Sequence, residues 1–286
     1  MKFRLCFLIV ICYSLSSKGQ GNNEKVWFEY PGKYWNSQGL HMGNGYFGAS
    51  FLGGVKEEII SITDASMWTG EPAKGDWQKA GVNPKAKENL PLIRKAVVNG
   101  NIPLADSLVI NNFLGKSDIF GFFTSIGDVK IEFPNSKETY SSYHREIDLS
   151  TSTGHINYKE GNTTFSREYF CSYPDKVLVL KYNSDKKNSI DLNLGSRVIQ
   201  KISSVSINND EFEISGKING NDRPFRVLIK VEHKGGNLGQ SGNQLTLRGA
   251  NEVVLYITMS TNYKMEYPDY LGEAPEIKNR EVIDKA

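Results

Sequence analysis

Among the residue types that do chemistry, carboxylates give this sequence its candidates. Asp64, Glu71, Asp76, Asp128, Glu132, Glu146, Asp148 and Glu168 stand near aromatic or glycine-rich text. Cleavage of a glycosidic bond needs two carboxyls, one to protonate the leaving oxygen and one to act across the sugar ring. Glu132, Glu146 and Glu168, however, alternate with apolar neighbours, as solvated positions on strand faces do. The four histidines, His41, His144, His155 and His233, lie far apart with no H-x-x-x-H or C-x-x-C spacing. A zinc site therefore has no support, and no metal or other cofactor is expected. No G-x-S-x-G occurs, so the nucleophile elbow of the α/β hydrolases is absent.

Two stretches stand apart. "LHMGNGYFGASFLGG", Leu40 to Gly54, holds five of the 27 glycines, and Gly43, Gly45 and Gly48 fit G-x-G-x-x-G by position only with altered spacing. A dinucleotide fingerprint must open a helix. The text that follows reads instead as two strands joined by a Gly-Gly turn, which sets nucleotide binding aside. Two readings stay open: glycines for a tight turn and close backbone packing, or a loop shaping part of a ligand surface. In "SITDASMWTGEP", Ser61 to Pro72, Asp64 can hydrogen-bond its own turn, and Trp68 precedes a loop. An exposed Trp68 could stack on a sugar, and one folded back would cover the core.

These stretches need elements to hold them. In a chain of 286 residues there is enough length for a large core, and 34 basic against 32 acidic residues leave a formal charge of +2. Nucleic acid and an anionic membrane surface are therefore not expected as partners. The aromatic content, 14 Tyr, 14 Phe and 4 Trp, suits a β-protein and a sugar-binding one alike. Residues 1–20 read as a secretory signal peptide: Lys2 and Arg4 precede a short apolar run and a small-residue boundary. No membrane anchor is expected, and the destination is secreted or periplasmic. With Cys6 and Cys12 removed, Cys171 is left as a lone, reduced thiol half-buried on a strand.

Beyond Phe122 the pattern has period two. "SIGDVKIEF", "YHREIDLSTS", "GHINYKEG", "TTFSREYF", "KVLVLKYN", "SIDLNLG", "EFEISGKI", "FRVLIKVEH", "NQLTLRG" and "EVVLYITMS" follow one another with Asn, Gly, Asp or Ser turns between them. The spacing predicts a mainly β fold, a large two-sheet antiparallel β-sandwich. An inserted helix pair spans about 89–114. Asn89 can cap its first helix, with Pro91 in the first turn, Ile93, Ala96 and Val97 on one face and Gly100 as the stop. Pro103 opens the second helix, Ala105, Leu108 and Val109 form a stripe, and Gly115 ends it. The pair is expected to pack on a sheet. Residues 264–286 turn polar and end in good helix formers.

At this point the motifs coincide with a family. "MGNGYFGASFLGG", "ITDASMWTGEP", the "FLG" after the helix pair, "SIGDVKIEF", "YHREIDLSTS" and "FSREYFCSYPDKVLVLKY" together resemble the N-terminal β-sandwich of family 95 glycoside hydrolases, the inverting α-L-fucosidase family. The resemblance runs from about Trp27 to Tyr263. It implies a supersandwich-like domain over 21–263, and a truncated inter-domain linker starting over 264–286. In the family a C-terminal (α/α)6 barrel follows and carries the catalytic groups. A fucosylated glycan would be the ligand, and no catalytic residue carries over onto this chain. His41, Gly43, Asn44, Gly45 and Trp68 are then the candidate substrate-binding or domain-interface residues, with Gly43-Asn44-Gly45 approaching the barrel mouth. His41 and Met42 stand where the family has proline and an aliphatic residue, and Thr63, Asp64 and Ala65 where members commonly carry N-E-D. The rival reading is a free-standing carbohydrate-binding module, with Trp68 or Trp35 as an exposed platform.

Overall fold

The computed structural model describes residues 24–70, 81, 83–115 and 121–286. The expected signal peptide, Glu71 and Asp76 lie outside them. In chain order the elements are β1 (Lys25–Phe28), the single turn α1 (Trp35–Gln38), β2 (Leu40–Gly43), β3 (Phe47–Phe51), β4 (Glu57–Asp64), α2 (Ala86–Val98) and α3 (Ile102–Asn112). There follow β5 (Gly127–Glu132), β6 (Ser141–Asp148), β7 (Thr153–Glu160), β8 (Thr163–Ser172), β9 (Val177–Ser184), β10 (Ile190–Val198), β11 (Lys201–Asn208), β12 (Glu211–Lys217), β13 (Pro224–Lys234), β14 (Asn237–Ser241), β15 (Gln244–Ala250), β16 (Glu252–Thr261) and α4 (Pro275–Ile283).

The fold is mainly β: two antiparallel sheets packed face to face. The nine-stranded sheet runs β1-β6-β7-β8-β9-β16-β13-β12-β11 and the seven-stranded sheet β14-β15-β10-β5-β4-β3-β2. All ten strands expected beyond Phe122 are present. Two more, β11 and β14, are sheet-edge strands. Their text, "KISSVSIN" and "NLGQS", is too polar or too short to announce itself. Alternation explains the layering: β4 buries Glu58, Ile60 and Ile62, and β12 buries Phe212, Ile214 and Gly216. These inward residues meet Leu178, Leu180, Leu255 and Ile257 in one continuous core.

That core contains an ion pair. Glu58 on β4 and Arg167 on β8 stand on opposite sheets, 2.6 Å apart, with side chains 0% and 2% exposed. Further hydrogen bonds surround the pair at the same place. Gly53 N–H donates to Glu58 Oε1 at 2.9 Å and the Tyr169 hydroxyl to Oε2 at 3.2 Å. Arg167 donates to the Gly54 carbonyl at 2.7 Å and to the Tyr158 hydroxyl at 3.1 Å, and its guanidinium lies 4.4 Å from the Phe133 ring. Burial pushes the Glu58 carboxyl up against the pull of Arg167. Although burial works against its charge, Arg167 is held well above its ordinary range by the Tyr158 and Tyr169 phenols and Glu58.

The helix pair differs from expectation. Asn89 does not cap α2: the helix starts after Lys85, which makes no side-chain cap bond, and Asn83 folds the turn ahead of it, its side chain accepting from Lys85 N–H at 2.9 Å and its carbonyl from Ala86 N–H at 3.0 Å. Asn89 lies one turn inside, its amide donating to the Lys85 carbonyl, so Pro91 sits within the helix. Gly100, at φ +71°, does end α2. The Asn101 side chain caps α3 by accepting from Leu104 N–H at 3.2 Å. α2 and α3 pack on each other through Ile93, Ala96 and Ala105, and neither makes an extensive contact with a strand. Among the described residues the expected packing on a sheet is therefore not seen, and Val97, expected on the inner face, is exposed.

α4 packs on the central strands β13 and β16. Buried Asn279 donates to the Arg226 carbonyl at 2.9 Å and accepts from the Ser260 hydroxyl at 2.7 Å, and Arg280 grips Glu211 with two nitrogens.

Arg167→Met is expected to lower unfolding free energy by about 3–5 kcal/mol, because it leaves Glu58 buried without its cation. Glu58→Leu combined with Arg167→Met is expected to cost clearly less than the two single changes added together. Urea unfolding of the three variants checks this; strict additivity would contradict it.

Candidate functional site

At one end of the sandwich the β2–β3 turn, the loop after β4, the end of β16 and α4 enclose a cleft of about 750 Å³. The glycine-rich hairpin forms its first wall. Gly43 pairs with Gly48 across it, Gly45 takes φ +83° in open space, and a Cβ on Gly43 would stand 3.1 Å from the Phe47 carbonyl oxygen. Asn44 organises the turn. Its side-chain oxygen accepts from the N–H groups of Tyr46 and Phe47, each at 3.0 Å, and its amide donates to the Ser172 carbonyl of β8 at 2.9 Å. Asn44 is buried, and its hydrogen-bonding groups tie the hairpin to the opposite sheet. Tyr46 lies over the cleft, stacked on Tyr173 at 5.5 Å, with the Lys176 ammonium 4.5 Å from its ring centre.

Asp64 ends β4 on the second wall. Its carboxylate accepts from Ser66 N–H at 2.8 Å and from the Ser66 hydroxyl, which in turn meets the Thr261 hydroxyl at 2.5 Å. Burial pushes the Asp64 carboxyl up, against these bonds and the charge of Lys278. Lys278 comes from α4 and donates to the Thr261 carbonyl at 2.9 Å; burial pulls its ammonium down, opposed by Asp64 and Glu273. The cleft thus sets a desolvated carboxyl and a desolvated ammonium among tyrosines, an arrangement suited to hydroxyl-rich, neutral or zwitterionic groups.

Of the residues singled out from sequence, Gly43, Asn44 and Gly45 build the hairpin beside this cleft, and Asp64 lines it. His41 faces outward on edge strand β2, its Nδ1 2.7 Å from the Ser50 hydroxyl. Trp68 is 45% exposed, bridged to Phe123, with the two ring planes tilted 59°. The pair is not a flat platform, and Trp35 is half-buried in α1. The remaining described carboxylates are dispersed. Asp128 pairs with Arg197, Glu132 with Lys130, Glu146 with Lys25 and His144, and Glu168 faces His155. Asp148 caps the turn at Ser150. No group of three or more His, Cys, Asp or Glu side chains placed to hold a metal occurs among the described residues. Cys171 is a free, half-buried thiol on β8, its pKa pushed up to about 12 by burial. Lys176, Tyr173 and Lys278 were not legible as site residues, since nothing in their local text marks them.

Asn44→Ala is expected to lower stability by about 1–3 kcal/mol, through loss of two turn bonds and a buried cross-sheet bond; chemical denaturation reads it. For Asp64 the folded carboxyl is raised, so the native state holds the proton more tightly and this group's contribution falls as pH rises through the carboxylate range. Asp64→Asn is therefore expected to match or exceed the parent's melting temperature at pH 7, with the difference shrinking as pH falls below about 4. Melting curves across that range check it, and a deficit that grows with acidity would contradict it.

Comparison with known proteins adds to this geometry. Alpha-L-fucosidase 2 of Arabidopsis thaliana is 30% identical over 90% of this chain and 33% of its own length. A probable alpha-fucosidase A of Aspergillus niger is 25% identical over 89% of this chain and 33% of its own. The chain thus spans about a third of the length of the curated relatives it matches. A solved structure, a putative kojibiose phosphorylase from human microbiome, overlaps 91% of this chain and 34% of its own at 9% identity and a TM-score of 0.44, too distant to support an argument. The family described as "Glycosyl hydrolase family 65, N-terminal domain" matches residues 26–266, the whole of the two-sheet sandwich, and the chain belongs to that family.

Proposed function

We propose that this chain is the N-terminal sandwich domain of an exported, family 95 α-L-fucosidase-like glycoside hydrolase acting on fucosylated glycans. The catalytic acid and base reside in a following (α/α)6 barrel, and the sandwich supports that barrel. The observation that carries this reading is one of proportion: α-fucosidases match nearly all of this chain but only a third of themselves. The site chemistry agrees with a supporting role. Asp64, the sequence-picked carboxylate that lines the cleft, is turned onto Ser66 and desolvated, whereas inverting hydrolysis needs an acid and a base about 6.5–9.5 Å apart across a sugar. The cleft and its glycine hairpin would form one rim where the barrel mouth meets the sandwich.

The chain as it stands is expected to release no fucose from an aryl α-L-fucoside, and to gain turnover when the barrel is joined to it or added. Turnover by this chain alone, abolished by replacing one of its own carboxylates, would overturn the proposal.

A further inference from the structure

The helix hairpin is the least explained feature of the fold. Between Ile102 and Ile110, α3 has only Asp106 and Ser107 as polar residues, and a helix apolar nearly all round is one that is buried. Yet Ala105 is the one fully buried residue of α3. Ile102, Leu104 and Ile110, with Leu92 and Val98 of α2 and Leu114 just beyond α3, are about half exposed or more, Val98 reaching 84%. The hairpin is nonetheless well formed: the Asn83 turn leads into α2, Gly100 stops it, Asn101 caps α3, and the Asn83 amide on the Leu114 carbonyl at 2.9 Å closes the base. A preformed helical pair with this much exposed apolar side chain is suited to docking, since monomers seldom leave so much apolar surface bare.

We infer that the α2–α3 hairpin is the surface that grips the catalytic domain of the longer enzyme; this rests on the function proposed above. Two observations choose that occupant. The insertion lies between β4 and β5 and leaves the sandwich where β4 ends, beside the end of β16, as the Ser66–Thr261 hydroxyl contact shows. The chain leaves β16 at that same end, where the Ser260 hydroxyl bonds the Pro275 carbonyl at the start of α4, so the segment leading to a following domain sets out on the hairpin's side before α4 runs back over β13 toward Glu211. Charge argues against a second copy. Lys85, Lys87, Arg94 and Lys95 outnumber Glu88 and Asp106 along the hairpin, so two copies would face each other with like charge, and an apolar partner face with an acidic rim fits better.

The test compares this chain with the protein as produced from its native gene. Amide hydrogen exchange over residues 86–114 is expected to be at least about tenfold slower in the longer protein. Leu104→Glu with Ile110→Glu is expected to restore fast exchange there while leaving the melting temperature of the chain alone unchanged, because both side chains are already exposed. Equal exchange in both proteins would overturn the inference, as would a native product of this length whose hairpin stays open. Sedimentation showing a dimer of this chain that the double variant dissolves would assign the surface to a second copy and overturn it too. Fucose release from an aryl α-L-fucoside by the longer protein is read separately. A protected hairpin without that activity would refute the proposed function alone, and activity with an unprotected hairpin would refute only the docking surface.

Discussion

The two sheets are held at one spacing by the Glu58–Arg167 pair, and much of the surrounding structure follows from accommodating it. A carboxylate and a guanidinium removed from water must have every lone pair and proton satisfied, or the desolvation cost exceeds the attraction. The loop between β3 and β4 is bent inward to supply those partners: Gly53 offers its N–H and Gly54 its carbonyl. That bend needs φ +72° at Gly53, where a Cβ would also strike the Tyr143 hydroxyl at 2.4 Å. At Gly54 a Cβ would lie 1.9 Å from the Glu57 carbonyl oxygen. The glycines that end the opening glycine-rich stretch are thus dictated by a charge pair, and the Tyr143, Tyr158 and Tyr169 hydroxyls surround it.

The two ends of the sandwich consequently differ. Near Glu57 and Phe133 the sheets close over Arg167, leaving only about 40 Å³ of open space. At the other end the sheets are joined more lightly, by the Asn44 amide on Ser172 and the Ser66–Thr261 contact, and the cleft opens between them. Sealing one end with a buried ionic network leaves the other free to carry irregular chain, and the β4–β5 insertion and the approach to α4 both emerge there.

The sequence announced what repeats. Period-two alternation, as in β7 and β12, exposed the sandwich because such strands bury every second residue against a continuous core. Capping chemistry locates the helix pair to within a few residues, though the turn at Asn83 carries no local sign because Pro84 and Lys85 stand between it and the helix. The packing of that pair is not legible in the text, since an apolar stripe says that a helix is covered but not by what. The site was legible only where backbone geometry demands a residue type, as at Gly45 and Asn44. Lys278 and Lys176 reach the cleft through long-range folding, and a lysine in polar text carries no local sign of that. Glu58 and Arg167 were equally hidden: each sits where alternation predicts an apolar residue, and only the opposite sheet explains it.

The attachment of α4 has a mechanical side. The strand leading to it, β16, lies in the interior of the nine-stranded sheet, paired with β13 over ten residues and with β9 over six. Tension drawn through the C-terminal segment would therefore load both ladders along the strand axis, in shear, where many hydrogen bonds share the force. A terminal segment leaving from an edge strand such as β1 would peel open one bond at a time. Asn279 and Arg280 add a second anchorage, to β13 and to its neighbour β12. A body tethered there could tug or swing against the sandwich while the sheet beneath it kept its shape.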